Sequence, residues 1–249
     1  MIRRLPFNRR TGSALGAFLL LAVLSGNAER INTPYDFPIK IGTPAWKAFQ
    51  SHPEMVNACQ MPDSTPRRLS TEALITTCLN YPLYRDMFCY NDFQIGFQAV
   101  STNFNGLMEL LKRADLTKEL LYAYEAIKDA DLPPREAMEQ AVRHMCLEML
   151  LAQPAVIGAL DLDGEMRLLR ECWKKYSKKR SRLDVFDRFT LSSVCLVMGR
   201  ILKNILERQE RSGISMSDET LLFIEKPGPA TASRSVIENI STTAENVLK

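Results

Sequence analysis

Histidine is nearly missing from this chain: His52 and His144 are the only two in 249 residues. No histidine pair shares a helix face and no two cysteines stand two to four residues apart, so the spacings that assemble a zinc site do not occur. Glycine is sparse, with 11 residues and no cluster. The glycine-rich loops that cradle phosphates are therefore absent, and so is a GxSxG nucleophile elbow. No segment alternates apolar and polar residues between hairpin turns, which excludes a sheet as the organising element. These gaps leave no metal site, no cofactor motif and no catalytic constellation, and they weigh against an enzyme.

What is present begins with an address. Arg3, Arg4, Arg9 and Arg10 form a positive leader, Ala14 to Leu24 an apolar run, and Gly26 and Ala28 place small residues three and one before a scissile bond. The run is far shorter than the roughly 20 apolar residues that span a bilayer. Residues 1–28 therefore read as a cleavable signal peptide, with the mature chain starting at Glu29, exported to the periplasm or secreted, with no transmembrane segment left after cleavage. Removing the four leader arginines leaves 28 basic against 29 acidic residues. The basicity belongs to the targeting segment, so nothing points to a nucleic-acid partner. The remaining 221 residues are long enough to bury a core without covalent staples. Six cysteines would allow three disulfides in an oxidising compartment. Cys78, Cys146 and Cys195 nevertheless fall on apolar helix faces, which favours buried free thiols.

Residues 29–68 carry six prolines and read as an irregular lead-in, with one or two helical turns around Ala45–Gln50 and Glu54–Cys59. From Ser70, a candidate N-cap, the helical period takes over through residue 225. Phe97, Val100, Phe104, Leu107 and Leu111 mark one helix face, and Leu116, Leu120, Tyr124 and Ile127 a second, with Asp115 as its cap. Met138, Val142, Met145 and Met149 mark a third; Met166, Leu169, Trp173 and Tyr176 a fourth; Leu191, Val194, Met198, Ile201 and Ile205 a longer one over Asp187–Arg208. The expected fold is all-α, an antiparallel bundle or irregular α-α array of about six to eight helices over 69–225. Residues 226–249, opening with PGPATASRS, read as a flexible tail.

Two patches stand out. In NYPLYRDMFCYNDF, aromatic rings alternate with Arg85, Asp86, Asn91 and Asp92. Tyr84, Asp86, Tyr90, Asn91 and Asp92 are the candidate ligand-binding set, since aromatic faces beside amides and carboxylates suit glycan or peptide contact. Against this, Tyr81, Tyr84 and Phe88 stand three and four apart, the spacing of a core stripe. The second patch, KKYSKKRSR, places Lys174, Lys175, Lys178, Lys179, Arg180 and Arg182 at the end of a helix. There they complement the helix dipole and stay solvated, or touch an anionic envelope polymer or lipid headgroup. His144 and Glu148 share a helix face while Cys146 points away; His144 reads as a partly buried structural histidine.

The blocks STEALI, LNYPLYRDMF, FNGLMELLKR with Asn105 and Gly106, and the Leu116–Ile127 helix resemble a helical segment of uncharacterised secreted bacterial proteins, over about residues 70–208. Some of those proteins carry a downstream domain rich in cysteine and histidine, similar to cell-wall amidases or peptidases. After residue 226 this sequence has neither residue type, so the resemblance implies an exported helical module without that domain. The reading is a binding or interaction module of the bacterial cell envelope, with envelope proteins or anionic envelope polymers as partners. The alternative is an envelope hydrolase or accessory subunit using Asp86 or Asp92 as acid or base.

Overall fold

Residue 70 marks a change in helix length as well as in sequence pattern. The computed structural model describes residues 30–127, 133–183, 186–209 and 215–249, so the segment 1–28, expected to be a signal peptide, lies outside the described residues. The proline-rich lead-in forms three short helices, α1 (Pro44–Lys47), α2 (His52–Ala58) and α3 (Thr65–Arg68), each with proline in its first turn. Proline is tolerated at a helix start, where its missing amide hydrogen has no acceptor to lose, and the same residue stops the preceding helix. There follow α4 (Thr71–Leu79), a 3-10 helix (Tyr84–Cys89), α5 (Phe93–Asn103), α6 (Asn105–Leu110), α7 (Leu116–Glu125), α8 (Pro134–Leu151) and α9 (Pro154–Gly158). The chain ends with α10 (Leu162–Arg180), α11 (Arg188–Gln209), α12 (Asp218–Glu225) and α13 (Arg234–Leu248). The protein is all-α: among the described residues the single β contact is a bridge between Ile31 and Leu69.

Among the described residues, thirteen α-helices and one 3-10 helix exceed the expected six to eight. Besides the lead-in, the stripe from Phe97 to Leu111 splits at Phe104, whose backbone is extended (φ −127°, ψ 117°). Its ring stacks on Tyr81 at 3.8 Å between centroids, and Asn105 exchanges two hydrogen bonds with the backbone of Met61. These long-range contacts outweigh one continuous turn of helix. Ser70 caps α4 as expected, accepting from the Ala73 amide. Asp115 does not cap α7; its carboxylate accepts from the Thr71 hydroxyl at 2.7 Å.

The expected flexible tail is also corrected. Residues 234–248 form α13, which buries Val236, Ile237, Ile240, Ala244 and Val247 against α10, α11 and α12. Their three- and four-residue spacing makes one apolar stripe, and each large aliphatic side chain removed from water contributes about 1.5–3 kcal/mol before entropy is counted. Its partner α11 is buried without interruption from Thr190 to Gly199. By length and composition alone, Arg188–Arg208 is the one described helix that could cross a bilayer; here 72% of its most apolar 18-residue stretch is buried inside the protein.

Two buried carboxylates set the register of the longest helices. Glu148 of α8 is fully buried and accepts from the Tyr124 hydroxyl of α7 at 2.9 Å, from Lys179 of α10 at 3.0 and 3.2 Å, and from the Ser193 hydroxyl of α11. Lys179 also donates to the Thr190 carbonyl. Glu165, at the other end of α10, takes both guanidinium nitrogens of Arg208 at 3.0 Å and the Asn204 amide at 3.1 Å. The pairs 165 with 208 and 179 with 190 run in opposite directions, so α10 and α11 are antiparallel.

All six cysteines are free thiols; five are buried and Cys89 is exposed. Burial pushes the thiols of Cys78, Cys172 and Cys195 upward, and that of Cys146 up to about 12. A thiol held neutral is a poor nucleophile. In the folded protein a water-soluble disulfide reagent is therefore expected to titrate one fast thiol, lost in Cys89→Ser, with the remaining five appearing only on unfolding. Glu148 supplies the second test. Burial alone would raise its carboxyl, but Lys179, the Ser193 hydrogen bond and His144 together bring it below the ordinary 4.5. A depressed carboxyl contributes stability above the unfolded-state value and loses it as pH falls through the folded one. Urea melts should show stability declining below about pH 4.5 in the parent. Glu148→Ala should cost about 3–5 kcal/mol at pH 7, because it strands Lys179, and should flatten that decline.

Candidate functional site

A 3-10 helix has three residues per turn, so side chains three apart eclipse. In Tyr84–Cys89 this aligns Tyr84 with Met87 rather than with Phe88, and Tyr84 and Met87 are both fully buried. The Tyr84 hydroxyl donates to the Cys146 carbonyl at 3.1 Å. Met87 fixes the segment against α5: a Cβ on Gly96 would lie 2.0 Å from the Met87 carbonyl oxygen, so only glycine allows the two backbones to meet. With one side of the turn committed to the core, Asp86 and Tyr90 face outward.

They meet the first turn of α2. Ser51 caps that helix and Pro53 enters it, which brings His52 to its exposed end. The His52 Nε2 lies 2.8 Å from Oδ2 of Asp86. A carboxylate only accepts, so the proton of this bond sits on Nε2, and in the neutral ring Nδ1 is left as an acceptor. Behind the pair is a cleft of about 370 Å3 walled by Pro53, Val56 and Asn57 of α2, by Tyr81, Leu83 and Tyr90, and by Ala99, Val100 and Asn103 of α5. Its two helical walls are stapled together: Gln60 donates to the Asn103 carbonyl at 2.9 Å and accepts from the Asn105 amide at 3.0 Å. Burial raises the Tyr81 hydroxyl well above its usual range, with Cys59 and Asp86 adding to the effect. It therefore stays protonated.

The cleft has an apolar wall, a polar rim and one exposed aromatic ring, that of Tyr90. The described residues lining it include no serine or cysteine nucleophile. Among all described residues, no three His, Cys, Asp or Glu side chains gather at a spacing that could hold a metal. Chemically, the arrangement can bind an apolar group and orient a polar one, and it can exchange a proton through His52.

The candidate ligand set is thus divided. Asp86 and Tyr90 reach the cleft. Tyr84 does not, because it is core. Asp92 caps α5, accepting from the amides of Gln94 at 2.7 Å and Ile95 at 3.1 Å. Asn91 meets the chain after α12: its carbonyl oxygen would lie 2.0 Å from a Cβ on Gly228, and the Phe93 amide donates to Pro227 at 2.7 Å. Neither residue lines the cleft. His52 had no legible role in the sequence, since its partner lies 34 positions away and no local pattern links them.

The basic patch divides as well. Lys174 is exposed beside Glu171. Lys175 and Lys179, expected to be solvated, are 1% and 5% exposed. Lys175 pairs with Glu171 at 2.9 Å and lies 4.9 Å over the Tyr124 ring, while Lys179 is held by Glu148. The buried acid of α8 draws Lys179 inward, and Glu171, four residues back on the same helix, holds Lys175. Lys178 and Arg182 edge a narrow crevice with His144, and Arg180 faces a separate groove. His144 is 6% exposed, in a structural position beside Glu148.

Comparison of the chain with known protein families, with curated proteins and with solved structures found no match in any of the three.

The division of the aromatic segment gives a direct test by melting. Tyr84→Ala removes a buried ring and its hydrogen bond and should cost about 3–5 kcal/mol. Tyr90→Ala removes an exposed ring and should leave stability within about 0.5 kcal/mol of the parent.

Proposed function

We propose that this chain is an exported helical binding module of the bacterial cell envelope, working in the periplasm or outside the cell, and that it takes a polypeptide segment into the cleft between α2, the 3-10 helix and α5. The observation that carries this reading is the His52 and Asp86 pair at the mouth of an apolar cleft. An apolar side chain fits between Val56, Leu83 and Val100, while main-chain amides and carbonyls find partners in Asp86, in Nδ1 of His52, and in the side-chain amides of Asn57 and Asn103. A glycan is favoured less, because only one aromatic face is open for a sugar to stack on. The fold assigned to the module is an irregular α-α array over α1–α7 followed by an antiparallel bundle of α8, α10, α11 and α13. The close packing of α11 supports reading it as a core helix.

One observation favours a second reading. An imidazole oriented by a carboxylate is the core of a general base, so an envelope hydrolase would use His52 and Asp86 to activate water. Asp92 caps α5 and does not line the cleft, which favours Asp86 in that role.

The test is capture from solubilised envelope with the mature protein, followed by affinity measurement on peptides from the captured partner. His52→Ala and Tyr90→Ala should each weaken binding about tenfold with unchanged melting, as expected for losing one directed contact. A bound peptide indifferent to both changes would end the reading. Turnover of that peptide by the parent and not by His52→Ala would transfer it to the hydrolase.

A further inference from the structure

A groove of about 610 Å3 lies on another face, where the end of α10, the start of α11 and α13 converge. Its floor is apolar. Leu191, Ala232 and Ile237 are buried beneath it, and Phe189 rests on an aromatic cluster with Phe88 and Phe93 at centroid distances of 5.6 and 5.7 Å. The one floor hydroxyl, on Ser192, already donates to the Phe189 carbonyl. Leu183 stands at the edge with 55% of its surface exposed.

The rim is charged, and its charges do not cancel. Asp187 is occupied by the start of α11, accepting from the Thr190 amide at 2.9 Å. Glu238 is paired with Arg234 at 2.8 Å. Arg180 and Arg188 also line the groove and have no ion-pair or hydrogen-bond partner among the described residues. Among the described lining residues three arginines outnumber Asp187 and Glu238 by one charge, and a net positive rim beside an apolar floor defines the chemistry of what covers it: an apolar body ending in an anion.

We propose that this groove binds a single-chain anionic amphiphile, its alkyl chain along Leu183, Phe189 and Ile237 and its carboxylate or phosphate head against Arg180 and Arg188. The volume sets the occupant, since about 300–1,000 Å3 suits one small ligand and not a membrane surface. The ligand is therefore taken up as a free molecule. Arg180 belongs to the basic run expected to touch anionic envelope material, but its partners in the site come from α11 and α13 and not from that run.

The experiment is calorimetric titration of the mature protein with dodecanoate below its micellar concentration, with dodecyltrimethylammonium as the cationic counterpart and phosphatidylglycerol vesicles as the membrane arm. Dodecanoate should bind at one site, at least about tenfold tighter than the cationic amphiphile. Arg180→Ser and Arg188→Ser should each weaken it about tenfold, with unchanged melting because both positions are exposed. Leu183→Asp should weaken it as well. Equal affinity for both head charges, or dodecanoate binding indifferent to the two arginine changes, overturns the proposal. Binding to the vesicles without binding to free dodecanoate overturns it too, in favour of a membrane contact.

Discussion

The buried carboxylate of Glu148 is the constraint on which the rest of the helical packing depends. An ionised group removed from water must be matched in charge and in hydrogen bonds, and Glu148 is matched by groups from three other helices: Tyr124, Lys179 and Ser193. Aliphatic side chains could slide past one another at modest cost, because one apolar contact resembles the next. A carboxylate with three directed partners cannot. Glu165 repeats the device at the far end of α10 with Arg208 and Asn204. Buried ion pairs add little net stability over well-packed hydrophobic residues, but breaking one is costly, so what the two acids supply is register. The apolar side chains of α8, α10 and α11 supply the driving force around it.

That register determines which charged side chains reach the surface. Lys175 and Lys179 turn inward, so the basic run is no longer a continuous charged face. Arg180 emerges on the opposite flank, above the floor formed by α11 and α13. The aromatic segment divides in the same way. The three-residue turn sends Tyr84 and Met87 into the core, and Gly96 lets that turn lie directly on α5. Asp86 is thereby presented to His52. The cleft is held open by side-chain amides, Gln60 and Asn105, which bind backbone on the facing wall. A cleft with a His and Asp rim and a separate groove edged by Arg180 and Arg188 lie on the two faces that this anchoring leaves.

Much of the helical content was legible in the sequence. The Ser70 cap, the methionine stripe of α8 and the apolar periods of α10 and α11 all depend on contacts within four residues, which sequence spacing reports directly. The break at Phe104 was not legible, because its cause is a stack with Tyr81 and a clasp between Asn105 and Met61, more than 20 residues away. Asp115 looks like a cap and is spent instead on Thr71. The stripe of α13 was present in the letters as Val236, Ile237, Ile240, Ala244 and Val247, but the preceding proline, alanine and serine residues concealed it.

By itself, the sequence determined the all-α class, since its apolar residues repeat at the helical period and nowhere alternate, and it marked a proline-rich lead-in where no long helix forms. Only the tertiary structure decided which charges are buried, which tyrosine is core, and that His52 meets Asp86. The reason is physical: a helix is stabilised by groups three and four residues apart, whereas a buried ion pair or a cleft requires side chains from distant segments to converge at fixed distances. Sequence spacing carries the first kind of information and is silent on the second.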